Sequence, residues 1–94
     1  MTPFELSVTV PADRRFADTV GALAREAARQ AGRSEADAAR FGAEAEAALQ
    51  ECLAGGDEAD GQVAVVFRRG DRALDVSMTG PSGVKVARTL PIDV

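Results

Sequence analysis

Glu46 and Gln50 stand four residues apart in an alanine-rich segment whose apolar spacing predicts a helix, so the two side chains share one face. A carboxylate one turn from an amide can orient a water or give oxygen ligands to a hard cation. Glu44 and Glu51 lie on the same segment. The competing reading is a solvated polar face opposite the apolar stripe, which most surface helices carry. The turn Gly80-Pro81-Ser82-Gly83 could present backbone amides to an anion. Pro81 removes one of those donors and no helix start follows, so the plain reading is a connector between strands. Cys52 falls on an apolar stripe and reads as a small core residue. Ser34 is a helix cap before it is anything else. Arg14 and Arg15, and Arg68 and Arg69, could meet an acidic partner, although scattered surface charge is the commoner case. The chain contains no histidine, which excludes Ser-His-Asp and Cys-His catalysis, a phosphohistidine and histidine metal ligands.

The chain that must position these residues has 94 residues, the length of one small domain spanning 1–94. Eleven basic residues against fifteen acidic ones leave a formal charge of −4. That balance argues against a nucleic-acid partner, which calls for a basic face. A single cysteine excludes an internal disulfide and points to a reducing, cytoplasmic setting. Apolar runs fall short of the roughly 20 residues that span a bilayer, and the start MTPFELSVTV lacks the basic region and apolar run of a signal peptide. The expectation is a protein with no membrane association.

Residues 4–10 alternate, with Phe4, Leu6, Val8 and Val10 on one side, which predicts a half-buried strand ended by Pro11. Asp13 is placed to cap a first helix with a stripe of Phe16, Val20, Leu23, Ala27 and Ala31. Gly32 follows as the left-handed residue that closes it. Ser34 opens a second helix, with Asp37 at capping-box spacing and a stripe of Ala38, Phe41, Ala45, Leu49, Cys52 and Leu53. Gly55 and Gly56 end that helix, and Asp57, Glu58, Asp60 and Gly61 form an acidic connector. Two strands follow, with Val63, Val65 and Phe67 and then Leu74, Val76 and Met78 inward, joined by the hairpin turn Arg69-Gly70-Asp71-Arg72. Residues 84–90 predict a last strand, with Val84, Val86 and Leu90 on one side. Arg88 interrupts that face and marks an exposed edge, which would be available for strand addition by a protein partner. The expected fold is α+β: a two-layer α/β sandwich of order β-α-α-β-β-β, with both helices on one face of a mostly antiparallel four-stranded sheet. The other face, with Ser7, Thr9, Asp75, Ser77 and Thr79, is expected to be wet.

The run PADRRFADTVGALAREAARQAGRSEADAARFGAEAEAALQECLAGG, residues 11–56, resembles the N-terminal half of the GHKL (histidine-kinase-like) ATP-binding domain. It is nearest to the version in serine-kinase anti-sigma factors. That family opens with a strand ending in proline, then a helix, a short glycine turn (here Ala31-Gly32-Arg33-Ser34) and a second helix with an Ala-x-x-Glu-Ala-x-x-Asn motif. A strand pair like GQVAVVFRRGDRALDVSMT, residues 61–79, comes next, and then an Asp-x-Gly-x-Gly box. The resemblance implies that Glu46 stands where the family's carboxylate acts on water or a hydroxyl, and that Gln50 stands where an Asn binds Mg²⁺. It implies that Gly80 and Gly83 lie near the nucleotide.

The chain departs from that pattern at three points. Gln50 is one methylene longer than Asn, which moves its amide oxygen relative to an ion that demands octahedral geometry. Thr79 or Gly80 falls where the family's adenine-recognising Asp belongs, and Asp75 is too early. After Gly83 the residues Val84 to Val94 suffice for one strand, without the lid and helix that cover the phosphates. The expectation is a degenerate domain with no catalytic residue and no cofactor, acting in bacterial regulation by partner switching or dimerisation. The resemblance implies a sigma factor or an anti-anti-sigma-like antagonist as partner, or a homodimer. The alternative is a residual ATP- and Mg²⁺-binding domain using Glu46, Gln50, Gly80 and Gly83, with weak or no kinase or ATPase activity.

Overall fold

A computed structural model describes residues 4–53, 61–81 and 83–91. In chain order it holds β1 (Phe4–Pro11), a 3-10 turn (Arg14–Phe16), α1 (Ala17–Gln30), α2 (Glu35–Cys52), β2 (Gln62–Arg69), β3 (Ala73–Thr79) and β4 (Lys85–Pro91). This is the expected β-α-α-β-β-β order. The acidic connector at 57–60 lies outside the described residues.

The strands form one antiparallel sheet in the order β1-β2-β3-β4, with β1 and β4 at its edges. The register pairs Leu6 with Phe67, Phe67 with Val76 and Val76 with Arg88. Each such row lies on one face, because successive side chains alternate. The inward rows are Val10–Val63, Val8–Val65–Met78–Val86, Leu6–Phe67–Val76–Arg88 and Phe4–Arg69–Leu74–Leu90. Val63, Val65, Phe67, Leu74, Val76 and Met78 are fully buried under the two helices.

Local sequence sets the helix ends. The Asp13 side chain accepts a hydrogen bond from the Arg15 backbone N–H at 2.9 Å and starts the chain turning, first as the 3-10 turn and then as α1. At the other end of α1, Gly32 adopts φ 85°, its N–H donating to Arg29 O at 2.9 Å while the Arg33 N–H donates to Ala28 O at 3.0 Å. That pair of bonds is a Schellman closure, which needs the left-handed residue glycine supplies. Ser34 Oγ then accepts from the Asp37 N–H at 3.2 Å and opens α2. The Asp37 carboxylate turns away to Arg33, at 2.5 Å, so the cap is one-sided and not the reciprocal box.

The buried residues of α2 include every member of its predicted stripe through Cys52, with Leu53 just beyond the helix, and add Gly42 and Ala48. For α1 the predicted stripe is rotated. Ala17, Val20, Gly21, Ala24, Ala27 and Ala28 are buried, whereas Phe16 and Leu23 are half-buried. The reason is the helix–helix crossing. A Cβ on Gly42 would stand 2.9 Å from the Gly21 carbonyl oxygen, so the smallest residues of both helices mark the line of closest approach. Small residues are what a close crossing demands, and a count of large apolar side chains does not register them.

Candidate functional site

Glu46 lies at that crossing. It is half-buried, and its carboxylate is laid over Gly21: a Cβ on Gly21 would fall 2.4 Å from Glu46 Oε2 and 2.7 Å from its Cγ. Among the described residues the carboxylate has no hydrogen-bond partner. Gln50, one turn on, is exposed. The two share a face of α2, as their spacing predicts, and that face turns toward α1 and solvent.

The glycine turn is elsewhere. Gly80 is buried, its N–H donating to Val84 O at 2.8 Å, and the Gly83 N–H donates to Gly80 O at 3.0 Å. Gly83 is exposed with φ 89°, a conformation that favours glycine. Ser82 lies outside the described residues. A Cβ on Gly80 would sit 3.2 Å from the Cys52 carbonyl oxygen and 3.8 Å from the Cys52 Cβ. Cys52 faces the sheet, its Sγ donating weakly to Met78 O at 3.6 Å. Gln50 is two residues, or about 200°, around the helix from Cys52. The turn and Gln50 are therefore on different sides of α2 and do not converge on one point. Among the described residues no three Cys, Asp or Glu side chains gather closely enough to hold a metal ion.

Burial pushes the Cys52 thiol above its ordinary value near 9.0. A low-dielectric setting disfavours the thiolate, the form in which a cysteine attacks.

Two features of the surface were not expected from sequence. Arg69 is buried on the inward face between Phe4 and Leu74, with 7% of its surface exposed. Its guanidinium donates to Gly70 O at 2.9 Å, and its Nε has no partner among the described residues. Arg68, its neighbour, points outward and pairs with Glu5 at 2.8 Å. Sequence patterning puts Arg69 in the hairpin turn; β2 instead runs through Arg69, and alternation from Val63 then places it inward. The second feature is a groove of about 370 Å³ between β1 and α1, lined by Phe4, Leu6, Leu23, Glu26, Ala27 and Gln30. Leu6, on the inward face, remains 41% exposed there. The alternation of β1 counts Leu6 as core; it is open because β1 is an edge, which is a property of the sheet order and not of the strand.

The two edges differ. On β4, Arg88 points toward the helices and pairs with Glu51 of α2, Lys85 begins the strand, and Pro91 ends it. Inward charge, lysine and proline are devices that discourage edge pairing. β1 carries Pro11 at its last position and no basic residue. The outward face of the sheet is uncovered by helices, and on it Arg68–Glu5 and a Thr89 hydroxyl donating to Asp75 at 2.8 Å tie one row together. No described helix is long and apolar enough to cross a membrane. The sequence matches no family model and no curated relative.

Proposed function

We propose that this chain is a non-catalytic protein-binding module of the kind its sequence resembles, a degenerate relative of bacterial anti-sigma factors. It acts by partner switching or by dimerisation. The observation that supports the reading is the half-covered sheet: helices lie on one face only, and β1 at one edge has an apolar, partly exposed inward row beside an open groove. Such an edge offers main-chain hydrogen bonds and side-chain pockets together, the combination used in strand addition.

The alternative is residual ATP and Mg²⁺ binding. What favours it is the shared face of Glu46 and Gln50 on α2. The same experiment separates the two. Calorimetric titration of the purified chain with purified sigma factors and antagonist proteins from its own genome should give saturable heat for at least one of them. ATP with Mg²⁺ at millimolar concentration should give none. Heat with ATP that is lost in Gln50→Ala, with no protein ligand found, would replace the first reading with the second.

A further inference from the structure

We draw no further inference here: the strongest candidate, the apolar groove between the edge strand β1 and α1 lined by Phe4, Leu6, Leu23 and Ala27, is an unpartnered face already described, and nothing in the structure shows what covers it.

Discussion

At the scale of single residues, the two glycines of the helix crossing are not equivalent. A methyl group on Gly42 meets the Gly21 carbonyl oxygen at 2.9 Å, and a backbone atom inside a packed helix cannot move without moving the helix. A methyl group on Gly21 meets the Glu46 side chain from Cγ outward, and that side chain, unlike a backbone carbonyl, can clear it by turning about χ1 toward solvent. Overpacking costs about 1–3 kcal/mol, and alanine returns up to about 1 kcal/mol in helix propensity. Gly42→Ala should therefore lower the unfolding free energy by about 1–2 kcal/mol, and Gly21→Ala should stay within about 0.5 kcal/mol of the parent. Urea denaturation of both variants checks the order. Arg69 makes the opposite case. Its buried Nε lacks a partner, so the guanidinium carries a desolvation cost that its bond to Gly70 O only partly offsets. Arg69→Met, which keeps the length and removes the charge, should be neutral or stabilising by about 1 kcal/mol in the same assay. A loss of more than that would mean the guanidinium makes a favourable contact that this geometry does not account for.

At the scale of elements, the helical hairpin is held by its turn. Ser34 Oγ on the Asp37 N–H and the Gly32 left-handed closure together satisfy backbone groups that the ends of α1 and α2 would otherwise leave bare. Ser34→Ala should cost about 1 kcal/mol. That is a fall of roughly 4–8 °C in melting temperature for a domain of this size, readable by circular dichroism. The glycine closure and the Ser34 cap were legible in the sequence, because Gly-x-Ser between two apolar periodicities is local chemistry; the turning of Asp37 to Arg33 in place of a reciprocal box was not. The strands were legible for the same reason: Val63, Val65, Phe67, Leu74, Val76 and Met78 alternate and are all buried. The buried face of α1 was legible only in part. Its inner line is drawn by Gly21, Ala24 and Ala28, chosen for the closeness of α2, and closeness is a tertiary quantity. The candidate site followed the same division. That Glu46 and Gln50 share a face follows from helix geometry, but the placement of the Gly80–Gly83 turn on the Cys52 side of α2 depends on how the sheet docks. The β1–α1 groove was illegible, since nothing in β1 itself says that no strand lies beyond it.

At the scale of the whole molecule, the surface ion pairs and the buried thiol set opposite ends of the pH range. Hydrogen bonds from Arg15, Arg29 and Arg33 lower the pKa values of Asp13, Glu35 and Asp37 from ordinary values of 3.8, 4.5 and 3.8. A carboxyl whose folded pKa is depressed stabilises the fold above its unfolded pKa and loses that contribution as pH falls through the folded one. Stability should therefore be flat near neutrality and decline below about pH 4.5. Arg15–Asp13 and Arg29–Glu35 are exposed and Arg33–Asp37 is half-buried, so salt should weaken the first two pairs most at neutral pH and partly flatten the acid decline. Cys52 runs the other way. Burial raises its folded pKa above 9.0, so the folded state holds the proton more tightly than the unfolded chain. The contribution is whole below the unfolded pKa and is lost as pH rises through the folded value. Urea midpoints should decline again above about pH 9, and this decline should be insensitive to salt, because its cause is desolvation and not a surface pair. Cys52→Ala, measured across the same range, should abolish the alkaline decline while leaving the acid limb in place. An alkaline limb that persists in that variant would assign it to another group and remove the thiol from the account.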